Sequence, residues 1–456
     1  MESIALLSHG TPAAVIAYRG GLPVTAQRFL SDAERLARSL PSGAHVLNVC
    51  VDRYRFTVGL AACLITGRIS LLPSSHTPEV IGQLAGFAPD AFCLTDDPHC
   101  DIGLPKHHYS EEWAPQRDAG PAGAAAWAVP QIPVAQLAAI VFTSGSTGTP
   151  LPYRKTWGRL ARCVRDGAPR LGLLDGRSHT LIGTVPAQHM YGFESTVLLA
   201  LLSGNAFSAE RPFYPADIAA SIAAVPQPRA LITTPVHLRA LLASAVELPP
   251  LDLIVSATAP LGQGLARDVE AKFHTTLLEI YGSTETGQIA MRRTALAAAW
   301  RLWPGVRLQV VGDQVFAHGG HVEQLTPMCD VIELLDEEDF LLHGRTADLV
   351  NVAGKRSSFD YLNAQLNAIP GVIDGVFFLR DGATGPTGVT RLGAVVVAPT
   401  LSVAALTDHL RRRIDAVFLP RPLIMVERLP RNATGKLPQQ VLQRLASDHL
   451  QANESP

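Results

Sequence analysis

The sequence predicts an α/β fold in two unequal parts. Up to about Val306, short apolar runs alternate with longer amphipathic stretches, which is the pattern of strand–helix units. The pattern then changes to β-hairpins, and after Asp348 to a small α+β unit. A chain of 456 residues also exceeds one typical domain. We therefore expect a large domain at 1–347, with mixed and parallel sheets flanked by helices plus a β-rich subdomain, and a small domain at 348–456.

The predicted elements of the large domain are read from its apolar runs. In the first part we expect strands at His45–Val51, Ile69–Leu72 and Ala91–Leu94, a helix at Phe56–Thr66, and a surface loop at Ala119–Ala126. Later strands each end in a polar loop: Thr180–Val185, Ala230–Ile232, Leu253–Val255 and Leu277–Ile280. If these strands are parallel, their loops emerge at one edge of the sheet, where open α/β sheets bind ligands.

The remaining elements are shorter. We expect hairpins at Val306–Phe316 and Val331–Gly344, the second turning at 336–339. In the small domain we expect helices at Ser358–Ala368 and Val403–Val417, strands at Val376–Arg380, Leu392–Val397 and Ile424–Val426, a loop at Pro430–Gly435, and a final helix.

Composition excludes several classes of function. Hydrophobic content of 47%, charged content of 17% and a net charge of −2 are typical of a globular protein, and they argue against nucleic acid or anionic membrane as a partner. The apolar runs are too short for a membrane span. The six cysteines form no Cys-x-x-Cys, so neither a zinc site nor a disulfide framework is indicated. We expect a cytoplasmic protein with reduced thiols.

One loop has the composition of a phosphate cradle. The apolar run Leu137–Phe142 leads directly into Thr143, Ser144, Gly145, Ser146, Thr147 and Gly148. Such a loop offers backbone N–H groups and short hydroxyl donors to a polyphosphate. It is not a Walker A motif, because no lysine follows Gly148. The alternative is a flexible Gly/Ser linker, although linkers seldom follow so apolar a run.

Four segments, taken in order, resemble the adenylate-forming superfamily of acyl-CoA synthetases, nonribosomal-peptide adenylation domains and luciferases. The segments are Thr143–Pro150, Tyr281–Glu285, Gly344–Asp348 with Gly354, and Leu429–Lys436. The resemblance covers nearly the whole chain, which is short for the family. It implies a reaction in which a carboxylate attacks the α-phosphate of ATP, pyrophosphate leaves, and a thiol then displaces AMP from the acyl-adenylate.

The resemblance also implies the nucleotide-binding residues. Residues Thr143–Gly148 would hold the β- and γ-phosphates, and Thr284 would donate to the α-phosphate. Glu285 would bind Mg²⁺, which prefers oxygen ligands. On the nucleoside side, Tyr281 would stack on adenine beside Gly282, Asp330 would grip the ribose hydroxyls, and Arg345 would meet ribose or phosphate. Asp330 lies in Met328-Cys329-Asp330, a departure from the usual Thr-Gly-Asp.

Two further residues are implied in the small, mobile domain. Lys436 resembles the lysine that contacts both the attacking carboxylate and the α-phosphate, and it is the residue most expected to be catalytic. Asp348 resembles the hinge about which the small domain turns between the two half-reactions. The alternatives are a solvated loop lysine and an ordinary aspartate between domains.

The phosphate loop departs from the family at one position. The family usually has lysine after the loop proline, whereas Leu151 follows Pro150 here. We expect Arg154 or Lys155 to supply the missing charge. The alternative is that these two residues are a solvated basic pair.

The segment Pro186–Gly192 resembles the wall of the acyl pocket. His189 would be a gating and catalytic residue, and Met190, Tyr191 and Gly282 would line the pocket; a hydrogen-bonded His189 beneath the cleft is the alternative. Relatives that use 2,3-dihydroxybenzoate have Asn after this histidine, so Met190 argues against 2-hydroxylated acids.

Two features, the loop without lysine followed by Arg154-Lys155-Thr156-Trp157 and the short length of the chain, look most like the ligases of aryl-polyene and xanthomonadin pigment clusters. That likeness implies an aryl acid such as 3- or 4-hydroxybenzoate, with an acyl carrier protein as thiol acceptor. The alternatives are a CoA ligase for an aryl or medium-chain acid, and a non-catalytic nucleotide-binding regulator with a decayed site.

Overall fold

A computed structural model describes most of the chain. The described residues are 2–73, 75–109, 127–143, 151–312, 314–345, 349–352, 355–379, 392–431, 437 and 439–454. The expected loop at Ala119–Ala126 lies outside them, as does most of the loop at Pro430–Gly435.

The strands are numbered in chain order. They are β1 (Ser3–Ala5), β2 (Val15–Arg19), β3 (Leu22–Thr25), β4 (His45–Asn48), β5 (Ile69–Leu72), β6 (Phe92–Thr95), β7 (Lys106–His108), β8 (Gln131–Pro133), β9 (Leu137–Thr143), β10 (Leu151–Thr156), β11 (Thr180–Gly183), β12 (Ala206–Ser208), β13 (Arg229–Thr233), β14 (Leu253–Ser256), β15 (Thr276–Ser283), β16 (Gly287–Arg292), β17 (Trp300–Leu302), β18 (Val306–Val311), β19 (Gln314–Gly319), β20 (Val322–Pro327), β21 (Asp330–Leu334), β22 (Asp339–Arg345), β23 (Leu349–Val352), β24 (Lys355–Ser358), β25 (Asp374–Leu379), β26 (Leu392–Val397) and β27 (Leu423–Met425).

The helices are numbered in the same way. They are α1 (Ala26–Ser39), α2 (Arg53–Ile65), α3 (Pro78–Phe87), α4 (Trp157–Arg170), α5 (Met190–Gly192), α6 (Leu199–Ser203), α7 (Pro215–Ala223), α8 (Pro235–Ala243), α9 (Gln263–Phe273), α10 (Phe359–Asn367), α11 (Val403–Arg411) and α12 (Gln439–Glu454). A π-helical segment, Phe193–Leu198, joins α5 to α6, and a 3₁₀ turn covers Ala416–Phe418.

Several helices begin at a residue whose side-chain oxygen accepts a hydrogen bond from an amide of the first turn. Asp52 accepts from the Arg55 amide at 2.9 Å, and Ser358 accepts from the Tyr361 amide at 3.1 Å. These caps satisfy amides that have no partner inside the helix. They fix where α2 and α10 begin.

Two large sheets form the body of the described structure. One has the strand order β10-β9-β5-β4-β6-β7, and the other has the order β21-β22-β17-β16-β15-β14-β13-β11-β12-β2-β3. In the second sheet, the strands from β15 through β14, β13, β11 and β12 to β2 are parallel, while β16 and β3 are antiparallel to their neighbours. The sequence prediction of mixed and parallel sheets with flanking helices is confirmed.

The main hydrophobic core lies between these sheets. It joins Val46 and Val141 of the first sheet to Val255 of the second, through Phe56 of α2 and Leu160 of α4. The residues after 349 have clusters of their own, around Leu362, Val396 and Leu406 and around Val395, Ile424 and Leu442. The division into domains at 1–347 and 348–456 stays a prediction, and the expected hinge, Asp348, lies outside the described residues.

Most predicted elements are present near their expected bounds. The strands at Ile69–Leu72 and Leu392–Val397 agree at both ends. The hairpin with its turn at 336–339 is formed by β21 and β22, whereas the first hairpin gains a third strand, β20. The helix expected to run to Val417 ends at Arg411, because the Asp415 side chain accepts from the Val417 amide and begins a separate 3₁₀ turn.

Candidate active site

The polar loops predicted from the sequence meet at one edge of the large sheet. Strands β11, β13, β14 and β15 are parallel neighbours, so their carboxyl ends point the same way. The loops that follow them are 184–189, 234–235, 257–260 and the turn after Ser283. This edge is where ligands bind in open α/β sheets.

The turn between β15 and β16 is fixed by its own hydroxyl groups. The Ser283 amide donates to Thr286 Oγ1 and the Thr286 amide donates to Ser283 Oγ, each at 3.2 Å. Thr284 and Glu285 lie half-buried at the tip of this turn. The expected α-phosphate donor and magnesium ligand are therefore held on a closed hairpin rather than on an open loop.

Gly282 is required by the same hairpin. A Cβ atom at this position would overlap the Gly287 carbonyl oxygen and lie 2.8 Å from Gln288 Cα. Both obstacles are backbone atoms, so no side-chain rotation relieves them. The β15–β16 pairing also shifts register between Tyr281 and Gly282, which is a β-bulge. Bulges re-aim side chains next to active sites.

Tyr281 and Asp330, both expected to bind the nucleoside, are in direct contact. The Tyr281 hydroxyl donates to Asp330 Oδ2 at 2.6 Å. The tyrosine ring lies 5.5 Å from the Trp300 ring and 5.7 Å from the Phe340 ring, measured between centroids. The backbone of Asp330 pairs with that of Arg345 across β21 and β22. Three residues expected at the nucleoside are thus neighbours.

The segment expected to line the acyl pocket is well ordered by hydrogen bonds. The half-buried His189 begins α5, and its Nδ1 accepts from the Tyr191 amide at 3.3 Å. Met190 and Tyr191 are buried, and the Tyr191 hydroxyl donates to the Val255 carbonyl at 2.9 Å. Because the Tyr191 hydroxyl already donates to β14, the ring of this residue, and not its hydroxyl, is left for contact with a ligand.

Arg154 and Lys155, expected to supply a phosphate charge, have opposite environments. Arg154 is exposed, whereas the Lys155 side chain is buried with 3% of its surface exposed. Successive side chains of a strand point to opposite faces, and both residues lie in β10. The Lys155 ammonium donates to the Glu285 carbonyl at 3.0 Å. Lys155 therefore contacts the turn that carries Thr284 and Glu285 directly.

Sequence reasoning missed the buried polar group behind that turn. Glu194 lies in the π-helical segment with 2% of its surface exposed, and the Cys163 thiol donates to its Oε1 at 3.6 Å. Beside them the side-chain Nε2 of Gln288 donates to Ser195 Oγ at 2.7 Å. One signal was available: Glu194 is a lone carboxylate in the apolar stretch between Met190 and Leu202.

Burial governs the ionisation of this group. Desolvation raises the pKa of Glu194 to about 7, although the nearby Lys155 charge opposes the shift. Desolvation lowers the pKa of Lys155, and here Glu194 opposes the shift. Burial, together with the charges of Lys155, Arg159 and Arg162, lowers the pKa of His321 to about 3, so this histidine is neutral at physiological pH.

Several expected site residues cannot be located. Ser144, Gly145, Ser146, Thr147, Gly148, Asp348 and Lys436 lie outside the described residues, and only the backbone of Thr143 and Arg345 is described. Among the residues that the structure does describe, no cluster of three His, Cys, Asp or Glu side chains suits a metal ion. In the same part of the chain, no helix has the length and apolarity needed to cross a membrane.

Comparison with known proteins identifies the family. A family model described as AMP-binding enzyme matches residues 8–338. The chain is 32% identical over 302 residues to a 4-coumarate–CoA ligase of Rhodobacter capsulatus, covering 65% of this chain and 74% of that protein. It is 23% identical over 369 residues to a 4-chlorobenzoate–CoA ligase of an Arthrobacter species, covering 70% and 67%.

Solved structures share the fold. ATP-bound MatB from Rhodopseudomonas palustris matches with a TM-score of 0.79 at 20% identity, covering 97% of both chains. The anthranilate CoA ligase AuaEII, in complex with anthranoyl-AMP, matches with a TM-score of 0.80 at 15% identity, covering 98% of this chain and 99% of that one. With a family model that spans more than half of its length and a fold shared end to end, this chain belongs to the AMP-binding enzyme family, within the adenylate-forming superfamily of acid–thiol ligases.

Proposed function

We propose that this protein activates an aryl carboxylic acid with ATP and then transfers the acyl group to a thiol. The observation that carries the proposal is the β15–β16 hairpin. One strand presents Tyr281 against Asp330, and its turn holds Thr284 and Glu285 at the sheet edge. The loop that contains His189 emerges at the same edge.

The proposed chemistry has two steps. A carboxylate oxygen bonds to the α-phosphorus of ATP while the bond to pyrophosphate breaks; a thiolate sulfur then bonds to the acyl carbon, and AMP leaves. At about 4 Å, each pair of like charges in the first step costs roughly 4 kcal/mol at an effective dielectric near 20. The Thr284 hydroxyl and the expected Lys436 ammonium are the donors proposed to offset this repulsion in the transition state.

ATP and Mg²⁺ are the expected cosubstrate and cofactor, and the donor set fits the ion. Mg²⁺ is commonly held by one or two carboxylates together with substrate phosphates and water, rather than by a cage of side chains. Glu285, half-buried in the turn after β15, would supply one carboxylate. When bound, the ion would neutralise phosphate charge.

The proposed acid is an aryl acid without a 2-hydroxyl group, and 3- or 4-hydroxybenzoate is the specific proposal. Met190 supplies a thioether suited to ring contacts, and the Tyr191 hydroxyl is already bonded to β14. The names of the relatives support an aryl substrate, since they refer to 4-coumarate, 4-chlorobenzoate and anthranilate.

Two acceptors are proposed in order. The likeness to pigment-cluster ligases favours an acyl carrier protein. CoA is the second candidate, and it is favoured by the curated relatives, several of which are named CoA ligases.

Exchange of radiolabel between pyrophosphate and ATP tests the first step. The panel contains 3- and 4-hydroxybenzoate, 4-coumarate, 4-chlorobenzoate, anthranilate, 2,3-dihydroxybenzoate and octanoate. We expect exchange with an aryl acid that lacks a 2-hydroxyl group, and less exchange with 2,3-dihydroxybenzoate and with octanoate. A nucleotide-binding regulator would bind ATP but give no exchange with any acid, which would contradict the proposal. With the best acid, comparing CoA with a holo-acyl carrier protein then identifies the acceptor.

A further inference from the structure

Lys155 is buried beneath the turn that carries Thr284 and Glu285. Its ammonium donates to the backbone carbonyl of Glu285 at 3.0 Å, while 3% of the residue remains exposed. A buried ammonium loses its hydration, so it is tolerated when hydrogen bonds and a counter-charge replace the water. Glu285, which accepts this hydrogen bond through its backbone carbonyl, is also the residue whose carboxylate is proposed to hold Mg²⁺.

The counter-charge comes from the π-helical segment. Glu194 and Lys155 face one small cavity, together with Cys163, Thr286 and His321. A Cβ at Gly287 would lie 2.8 Å from Glu194 Oε1, so the Glu194 carboxylate also lies against the end of the Thr284–Glu285 turn. Single-turn π-helical segments are frequent at functional sites. Glu194 of the π-helical segment and Lys155 of β10 thus approach the same turn from two different elements.

We propose that Lys155 is a positioning residue that holds the Thr284–Glu285 turn from beneath, with Glu194 as its counter-charge, and that it does not replace the lysine missing at Leu151. The proposal rests on the proposed function, because the turn matters through ATP and Mg²⁺. The sequence suggested that Lys155 contacts phosphate directly. Here Lys155 instead affects ATP and Mg²⁺ binding through its hydrogen bond to the Glu285 carbonyl.

The first test measures ATP binding by calorimetry, with Mg²⁺ and with EDTA. For Lys155→Met we expect ATP affinity in EDTA to stay within threefold of the wild type, while the improvement that Mg²⁺ produces falls about tenfold. A phosphate-contacting lysine predicts the opposite, namely weaker ATP binding in EDTA as well, and that result would overturn the proposal. Lys106→Met, at an exposed position in β7, is the matched control. Binding does not need turnover, so this test stands even if no acid supports exchange.

The second test asks whether charge in the loop can substitute. Leu151→Lys restores the lysine usual in the family, and Leu151 is exposed. We expect pyrophosphate exchange by Lys155→Met to fall 30- to 100-fold in kcat, and we expect Leu151→Lys not to recover it in the double variant. Recovery to within threefold of the wild type would show that Lys155 is only a loop charge.

The third test keeps the proposal open to refutation if Lys155→Met does not fold. Lys155 is faced by Glu194, by Cys163 and Arg159 of α4, by the Glu285 turn and by His321. Glu194→Gln removes the counter-charge and keeps the size of the side chain, so the ammonium should hold the Thr284–Glu285 turn less firmly. At one fixed pH, we expect the improvement in ATP affinity that Mg²⁺ produces to fall at least threefold, while ATP affinity in EDTA stays within threefold of the wild type and the melting temperature is recorded in parallel. An unchanged Mg²⁺ effect would contradict the role of Glu194.

Discussion

The hydroxyl group of Tyr281 links this residue to Asp330. The sequence suggested these two residues from separate segments. Tyr281 was expected to stack on adenine and Asp330 to bind ribose, and the 2.6 Å hydrogen bond between them couples these roles. The ring also packs against Trp300 and Phe340, which stack on each other with ring centroids 6.4 Å apart. The bond therefore fixes the orientation of both the Tyr281 ring and the Asp330 carboxylate.

Tyr281→Phe should weaken ATP recognition without unfolding the protein. The phenylalanine keeps the ring contacts but loses a hydrogen bond to a charged group, which contributes about 1.5–3 kcal/mol. We expect KM for ATP in pyrophosphate exchange to rise about 10-fold or more, with a melting temperature close to that of the wild type. Tyr361→Phe, at an exposed position in α10, is the control. An unchanged KM would show that the bond does not position Asp330.

His237 is a buried histidine that should make stability depend on acid. Its Nδ1 lies 2.9 Å from Thr234 Oγ1, and desolvation lowers its pKa from 6.5 to about 4. The unfolded chain binds this proton below about pH 6.5, whereas the folded protein does not bind it until about pH 4. The stability associated with the neutral ring is thus complete above pH 6.5 and is lost as the pH falls.

His237→Gln should flatten the acid side of the stability profile. Between pH 7.5 and 4.5, we expect the wild type to lose about 2–3 kcal/mol more unfolding free energy than the variant. Denaturant unfolding across that range measures the difference, and other groups cancel because both proteins contain them. Parallel profiles would mean that His237 is not held neutral by the fold.

At the scale of elements, Arg53 ties a helix to the site's sheet. Its fully buried guanidinium donates to the carbonyls of Ser208 and Glu210 and to those of Gly183 and Val185, at 2.7–2.9 Å. Ser208 is the last residue of β12, and Glu210 follows that strand. Gly183 is the last residue of β11, and Val185 follows that strand. One side chain at the start of α2 therefore fixes the strand end that leads to the His189 loop.

Arg53→Lys should destabilise the protein although it keeps the charge. A lysine cannot reproduce the planar fork, and carbonyls left unpaired in the core are costly. We expect a loss of about 3–5 kcal/mol, measured by guanidinium chloride unfolding. Arg411→Lys, in an exposed ion pair on α11, is expected to stay within about 0.5 kcal/mol. A similar small change at Arg53 would contradict the structural role.

The elements that sequence reasoning predicted share a physical property. Strands β14 and β26 are buried along their length, so β26 is an unbroken apolar run and β14 is apolar up to its last residue, Ser256. The sequence of β10, Leu-Pro-Tyr-Arg-Lys-Thr, lacks such a run because it is an edge strand paired only to β9. Strand β2 pairs with β12, far along the chain, and no local pattern reports that contact. The burial of Lys155 was missed for the same reason.

At the scale of the whole molecule, candidate site residues could be named where a motif lies on a single segment. Tyr281 and Asp330 were named from two such motifs, and their side chains are in contact; the roles assigned to them, and to Thr284 and Glu285, stay predictions. Glu194, Cys163 and Gln288 could not be named, because their meeting depends on how α4, the π-helical segment and β16 pack. Packing between distant elements leaves little trace in sequence.

Lys436 is predicted to serve only one of the two half-reactions. If the residues after Asp348 move as a unit, this lysine reaches the α-phosphate in one orientation alone. Lys436→Ala should slow adenylation about 10²–10³-fold, equivalent to roughly 3–4 kcal/mol, and leave thiol transfer from preformed acyl-adenylate near the wild-type rate. Single-turnover measurements of each step make the comparison. Equal slowing of both steps would refute the assignment.

The way the large sheet divides its tasks has a consequence for engineering. The proposed α-phosphate donor and Mg²⁺ ligand lie in one hairpin whose Gly282 admits no side chain, while the proposed acyl-pocket loop at 184–189 belongs to a separate crossover. Libraries that randomise the 184–189 loop should therefore yield enzymes with altered acid preference that still form an adenylate from ATP. Libraries aimed at the hairpin should yield mostly inactive clones, so randomisation is best directed at the loop.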